Sequence, residues 1–221
     1  MIKYLGSKRR LVLVLGELLD RAGAATALDL FTGTTRVAQE WKRRGAYVTA
    51  VDSARYAAVL AECYIGTDAR EVDLAALGEV ISHLQSLPGT DGYVTETFSR
   101  RARYFQVPNA RRIDAVRDAI EADWAGHPWQ PLLLASLIQA ADRVDSTTGL
   151  QMAYLKQWAP RSAAWINGVS SSGCQGLAGP IRLDGVTNGV DAAGVGDPEV
   201  PGPPAERLGD IPVRSRQRLQ M

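Results

Sequence analysis

Few residues in this chain can hold a metal ion. The 221 residues include only two cysteines, Cys63 and Cys174, and two histidines, His83 and His127. Four such residues without metal-site spacing do not form a zinc-binding set. We therefore predict no metal site, and free thiols fit a reducing, cytoplasmic compartment.

The chain also lacks an excess of charge and a long apolar run. Its 25 basic and 24 acidic residues give a net charge of +1. Any DNA-binding surface must therefore come from local clusters of basic residues. The apolar stretch at 11–19 is interrupted by Glu17. It is far shorter than a membrane span, and no signal-peptide cleavage site follows it, so we expect neither membrane insertion nor secretion.

The hydrophobic pattern predicts an α/β fold. A chain of 221 residues with 46% apolar residues can bury the core of one substantial domain with an insertion. Periodicity predicts strands at 26–31 and 46–52, with a mostly helical block at 93–160. Helices are predicted at 8–21, 35–44, 54–64 and 73–86, with a turn at 89–92.

A candidate cofactor loop follows the first predicted strand. Phe31-Thr32-Gly33-Thr34 ends that strand and opens a helix. Because Gly33 has no Cβ, backbone N–H groups can approach a ligand there. Asp52 ends the second strand, where α/β cofactor folds place an acceptor for ribose hydroxyls. An ordinary strand-to-helix turn with an N-cap at Thr34 or Thr35 is the alternative.

Two further segments make the pattern more specific. Lys3-Tyr4-Leu5-Gly6-Ser7-Lys8-Arg9-Arg10 precedes the first helix, and the segment 143–158 reads RVDSTTGLQMAYLKQW. Together with the loop and Asp52, these segments resemble the D12 class of adenine-specific DNA methyltransferases, the Dam-like enzymes. The resemblance covers roughly residues 2–162.

The resemblance implies a Rossmann-like half that binds S-adenosylmethionine. It implies that Tyr4 packs on the cofactor, Lys8 neutralises its carboxylate and Asp52 binds its ribose. A solvated basic segment at the start of the helix is the alternative for Tyr4 and Lys8. Asp68 is a further acidic candidate, although a cap of the next helix explains it better. The implied cofactor-binding residues are Tyr4, Lys8, Phe31, Thr32, Gly33, Thr34 and Asp52.

The resemblance also implies double-stranded DNA as the partner, with methyl transfer to N6 of adenine. In the family, a helical DNA-recognition region is inserted between the cofactor half and the catalytic half. Between Arg100 and Arg117, Tyr104, Phe105 and Asn109 lie among the basic residues. Aromatic and basic side chains together suit an unstacked base and its phosphates. Solvated surface charge is the alternative. The DNA-binding candidates are Arg101, Arg103, Tyr104, Asn109 and Arg111.

The chain departs from the family after the recognition region. The Asp-Pro-Pro-Tyr type of catalytic motif does not occur in the sequence, so no catalytic residue is assigned. Residues 165–221 contain 10 Gly and 6 Pro, half of the total for both types. Such a tail is expected to stay disordered. The predicted division is 1–92 for cofactor binding, 93–162 for DNA recognition and 163–221 for a non-family tail.

Two hypotheses for the function follow from this departure. A truncated or frameshifted methyltransferase would explain both the missing motif and the tail; a native flexible tail is the alternative. A non-catalytic module that binds DNA or cofactor is the competing function.

Overall fold

The computed structural model describes residues 8–148 and 155–164, and these form two compact units. One unit contains residues 12–66, and the other contains the described residues of 8–11 and 67–164. Tyr4 and the tail from residue 165 lie outside the described residues. The predicted boundary at residue 92 separates cofactor binding from DNA recognition, whereas these units are defined by their packing. That boundary therefore stays a prediction.

The unit at 12–66 contains a small parallel sheet with helices. Its elements are α1 (Val12–Ala22), β1 (Thr26–Leu30), α2 (Arg36–Arg43), β2 (Tyr47–Val51) and α3 (Arg55–Ala61), which continues into a π-helical turn (Glu62–Gly66). The strands pair in parallel, with Thr26 opposite Tyr47 and Leu30 opposite Val51. Parallel strands require a crossover connection, and α2 supplies it. Mixed helix and parallel sheet agree with the predicted α/β class.

Small and β-branched residues form the core of this unit. Val48 and Ala50 of β2 pack with Ala38 of α2 and with Ala61 and Ile65. Gly45 has a φ of 90°, which lets the chain reverse between α2 and β2. The sheet therefore packs against α2. The carboxyl ends of both strands lead into the loops that begin at Phe31 and Asp52.

The side chains of the basic run Lys42-Arg43-Arg44 form hydrogen bonds with other residues of this unit. The Lys42 ammonium is buried and donates to the carbonyls of Ile65 (2.6 Å) and Tyr64 (3.2 Å). Arg43 and Arg44 both donate to the buried carboxylate of Glu40. Burial raises the pKa of Glu40, but the hydrogen bonds from the two arginines outweigh it and hold that pKa below its ordinary value.

The second unit is mostly helical. It contains a 3-10 turn (Lys8–Leu11), α4 (Leu74–Ser86), α5 (Tyr93–Thr95) with a π-helical turn (Glu96–Arg100), α6 (Val107–Trp124), α7 (Gln130–Val144) and a 3-10 turn (Pro160–Ala163). Helices α6 and α7 pack against each other. Ile113, Ile120, Leu133 and Leu137 are among the buried side chains, as the helical periodicity predicted. Within 8–148 and 155–164, no helix is long and apolar enough to cross a membrane.

Candidate functional site

The two predicted cofactor motifs meet at the carboxyl edge of the sheet. Leu30 and Val51, the last residues of β1 and β2, are register partners. The loop after β1 and Asp52 after β2 therefore lie side by side. The Gly33 N–H donates to Asp52 Oδ2 at 2.8 Å. Residues 19 positions apart in the sequence thus form one local structure.

The loop after β1 has an unusual backbone. Phe31, Gly33 and Thr35 have φ values of 62°, 56° and 59°. Residues other than glycine rarely adopt this region, at a cost of about 1–3 kcal/mol each. The Thr32 N–H donates to the Val51 carbonyl (3.0 Å), and the Thr35 N–H donates to the Thr32 carbonyl (2.9 Å). These hydrogen bonds stabilise the loop in its strained conformation. Strained backbone of this kind is frequent at binding sites.

Asp29, near the end of β1, forms a hydrogen bond with the same loop. Its carboxylate is buried and accepts the Thr32 hydroxyl at 2.9 Å. Asp29 was not among the predicted site residues. The sequence does contain a signal for it, since Asp29 is an acidic residue inside an apolar strand, just before the loop. A carboxylate that is buried in a strand requires hydrogen-bond partners, and the adjacent loop can provide them.

Asp52 has acceptor capacity beyond the loop. Its Oδ1 accepts the Ala54 N–H at 2.9 Å, and its Oδ2 accepts the Gly33 N–H. A carboxylate offers about four acceptor positions. Asp52 is half-buried, so the remaining positions can serve ligand hydroxyls.

Thr35 does not cap α2 with its side chain. It occupies the N-cap position, but its hydroxyl donates to the Thr34 carbonyl (2.7 Å) and accepts from Gln39 Nε2 (2.7 Å). A cap by Thr34 or Thr35, the alternative explanation of this motif, is therefore not formed. Phe31 is 76% exposed beside this turn. The loop is thus more specialised than an ordinary strand-to-helix turn.

The other acidic and N-terminal candidates lie in the helical unit or outside the described residues. Lys8 begins the 3-10 turn at the start of the helical unit, and Tyr4 is not described. Asp68 is buried and pairs with Arg70 at 2.8 Å. The prediction that Asp68 caps the next helix is wrong, because Asp73 caps α4 by accepting the N–H groups of Ala75 and Ala76.

Two of the predicted DNA-binding arginines form ion pairs. Arg101 pairs with Glu96 at 3.1 Å. Arg111 donates to both oxygens of Asp91, at 2.5 and 3.0 Å, and Arg100 binds the same carboxylate at 2.9 Å. Hydrogen bonds from Arg111 and then Arg100 hold the pKa of Asp91 well below its usual range.

Asn109, Tyr104 and Arg103 have different surroundings. Asn109 is buried and its amide nitrogen donates to the carbonyls of Ser162 (3.1 Å) and Ala164 (3.0 Å). The half-buried Tyr104 packs edge-on against Phe98. Arg103 is exposed. Because Asn109 is buried and its amide nitrogen already donates to two carbonyls, its position gives the predicted DNA contact no support.

No group of histidine, cysteine and acidic residues within the described ranges could hold a metal ion. Cys63 is buried and forms no disulfide bond with another described residue. The candidate ligands are a nucleotide-type cofactor at the sheet edge and an anionic partner at the helical unit.

Comparisons with known proteins connect these sites to one family. The sequence profile of the D12 class N6 adenine-specific DNA methyltransferases matches residues 4–172. No solved structure matches the chain. The type II methyltransferase M.NlaIII of Neisseria lactamica is 31% identical over 169 residues, covering 70% of this chain and 49% of the relative. The modification methylase StsI of Streptococcus sanguinis is 30% identical over 179 residues, covering 73% of this chain and 27% of the relative.

A shorter match is to the type II methyltransferase M.CviAII of Paramecium bursaria Chlorella virus 1, with 38% identity over 90 residues, covering 37% of this chain and 28% of the relative. The chain spans about half the length of M.NlaIII and less of the other two. The profile covers well over half of the chain and contains the strained loop, Asp52 and the helical unit up to residue 164. The chain therefore belongs to the D12 class of N6 adenine-specific DNA methyltransferases.

Proposed function

We propose that this chain binds S-adenosylmethionine and double-stranded DNA for methyl transfer to N6 of adenine. The observation that carries the proposal is the contact between Gly33 and Asp52 at the carboxyl edge of the parallel sheet. Parallel α/β sheets bind their ligands at this edge. The family supports adenine in DNA as the target.

The residues at the sheet edge fit the cofactor. In the proposal, Asp52 accepts ribose hydroxyls with the acceptor positions that Gly33 and Ala54 leave unused. The exposed Phe31 supplies an apolar wall, and the backbone of Thr32 and Gly33 lies near the methionine part. S-adenosylmethionine supplies an electrophilic methyl group on its sulfonium when it is bound. Thr34, in the same loop, completes the proposed site within this unit; the roles of Tyr4 and Lys8 stay predictions from the resemblance.

We also propose that the two units have different functions, cofactor binding in one and DNA recognition in the other. The unit at 12–66 forms the beginning of a Rossmann-like cofactor half, since a crossover helix already connects its two parallel strands. The helical unit recognises DNA. Methyl transfer to the adenine amine requires in-line placement and acceptors for the amine hydrogens more than a strong base.

A second function, a binding module without catalysis, is favoured by one specific observation. The sequence contains no Asp-Pro-Pro-Tyr motif to accept the amine hydrogens. Its nearest strings, at 197–200 and 203–205, lack the aromatic residue. Each missing preorganised acceptor commonly costs about 100-fold or more in rate. Cofactor binding and methyl transfer must therefore be measured separately.

Cofactor binding is tested with Asp52→Ala. Loss of an acceptor for the ribose should weaken S-adenosylmethionine binding by about 1–3 kcal/mol, which is roughly 5- to 150-fold in Kd. Isothermal titration calorimetry on the full chain measures this change.

Asp73→Ala is a matched control for this experiment. Asp73, like Asp52, accepts two backbone N–H groups, but at the start of α4. It should leave the Kd unchanged while costing a comparable amount of stability. If Asp52→Ala is folded by circular dichroism and binds with wild-type affinity, Asp52 is not in the cofactor site.

Methyl transfer is tested by tritium incorporation into unmethylated DNA. We expect a negligible rate for this chain, because the acceptors of the amine hydrogens are missing. The comparison is a version in which residues 163–221 are replaced by a family sequence that contains the Asp-Pro-Pro-Tyr motif. Equal turnover by the two proteins would show that other residues of this chain supply the acceptors.

A further inference from the structure

A short exposed loop in the helical unit carries a lysine and a tryptophan. Lys156, Gln157 and Trp158 are all exposed. The residues on either side are both held by Ser146, which is fully buried. Its carbonyl accepts the Leu155 N–H at 2.9 Å, and its hydroxyl accepts the Ala159 N–H at 3.0 Å. The backbone at both ends of the loop is therefore fixed.

The chain after the loop is also attached to the helical unit. Arg161 donates to Asp145 Oδ1 (2.8 Å) and to the Thr147 carbonyl (2.7 Å). The buried Asn109 donates to the carbonyls of Ser162 and Ala164. A loop braced in this way presents its side chains at little further entropic cost on binding.

Arg103 lies against this loop. Its guanidinium carbon is 5.4 Å from the centroid of the Trp158 ring, within the range of a cation–π contact. Its Nη1 also donates to the Lys156 carbonyl. A guanidinium has five N–H donors, and the Lys156 carbonyl engages only one side of the group. The rest remain on an exposed side chain whose orientation is already set.

Within the described part of the chain, no carboxylate neutralises the charge of this cluster. Arg101 pairs with Glu96, and Arg111 pairs with Asp91. Neither Arg103 nor Lys156 forms an ion pair with a carboxylate of the described residues. Two uncompensated cations beside an aromatic ring are suited to an anion of regular spacing, such as a nucleic-acid backbone.

We propose that Arg103 and Lys156 contact phosphates of the DNA backbone, and that Trp158 is a positioning residue that holds Arg103 for this contact. The proposal rests on the proposed function, because it names the part of the helical unit that DNA touches. It extends the predicted basic segment at 100–117 to a loop whose Lys156 lies 53 residues after Arg103.

The test is fluorescence anisotropy of the full chain with a labelled DNA duplex, in about 50 to 200 mM salt. Arg103→Ala and Lys156→Ala should each weaken binding and lower the slope of log K against log salt by about one unit. Arg101→Ala is the matched control, since Glu96 already neutralises that arginine. It should change the slope by less than either of the two variants.

A double-mutant cycle separates positioning from direct contact. Trp158→Leu should weaken binding about 2- to 5-fold, the usual value of an exposed cation–π contact. The salt slope should stay unchanged, because no phosphate contact is lost. In the Arg103→Ala background, Trp158→Leu should have no further effect. Trp158→Phe keeps a ring for Arg103 and should restore most of the affinity.

Each result decides between the proposals. Unchanged slopes for folded Arg103→Ala and Lys156→Ala, with DNA binding by the wild type, overturn this inference and leave the proposed function in place. Additive effects of Trp158→Leu and Arg103→Ala overturn the positioning role. A wild-type chain that binds S-adenosylmethionine but no DNA overturns both this inference and the DNA part of the proposed function.

Discussion

Two buried serines in the helical unit should respond differently to the same substitution. Ser146 is fully buried, and its hydroxyl accepts the N–H of the buried Ala159 at 3.0 Å. Ser146→Ala leaves that N–H without an acceptor, at a cost of about 1–3 kcal/mol in the free energy of unfolding. For a chain of this size, each kcal/mol corresponds to about 2–4 °C in Tm. A loss of roughly 2–12 °C is expected.

Ser99 provides the comparison. Its side chain is also buried, at 8% exposure, but its hydroxyl has no hydrogen-bond partner among the residues that the structure describes. Ser99→Ala removes an unsatisfied polar group, so the free energy of unfolding should stay the same or rise by about 1 kcal/mol. Urea denaturation followed by circular dichroism measures both variants. Equal losses for the two serines would refute the assignment of stability to the bond between Ser146 and Ala159.

The remaining predictions concern the helical unit. Asp91→Asn should release Arg111, while Arg100 keeps its pairing with Glu96, and should steepen the salt dependence of DNA binding, as measured by anisotropy; an unchanged slope would place Arg111 away from DNA. The pKa of Asp91 is lowered in the folded chain, so its stabilising effect is present above the unfolded pKa of about 3.9 and is lost at lower pH. The Tm difference between wild type and Asp91→Asn should therefore shrink in melts below about pH 4. Asn109→Ala should cost about 1–3 kcal/mol in urea denaturation without changing the Kd for S-adenosylmethionine; a weaker cofactor affinity would contradict the purely structural role of its amide.

The parts of the fold that local sequence determines were predictable. Hydrophobic periodicity located β1, β2 and helices α1 to α4 within a few residues, and it predicted a helical block at 93–160 without the bounds of its helices. The loop at Phe31–Thr34 and the carboxylate of Asp52 were recognisable because parallel strands end at one edge. The role of Asp29 was less visible, since its burial depends on the packing of α2 against the sheet.

The ion pairs of the basic clusters were not predictable from the runs of arginine and lysine. The run Lys42-Arg43-Arg44 reads as surface charge, yet its members bind Glu40 and the carbonyls of the π-helical turn. Arg111 is neutralised by Asp91, which lies 20 residues away. Glu40 lies one helical turn before Arg43 and Arg44, so their pairing follows from local spacing. The partners of Lys42 and Arg111 come from other elements and depend on packing, so net charge and local charge density do not show them.

The two candidate sites are built by different kinds of interaction, and this difference makes them separable by mutation. The cofactor loop depends on strand register and on short-range backbone bonds around Gly33 and Asp52. The Lys156–Trp158 loop depends on bonds from Ser146 and on the more distant amide of Asn109. Because the two sets of bonds share no residue, changes at Ser146 or Asn109 should disturb the Lys156–Trp158 loop and spare the sheet edge. Under the proposed function, cofactor affinity and DNA affinity can therefore be changed independently by mutation.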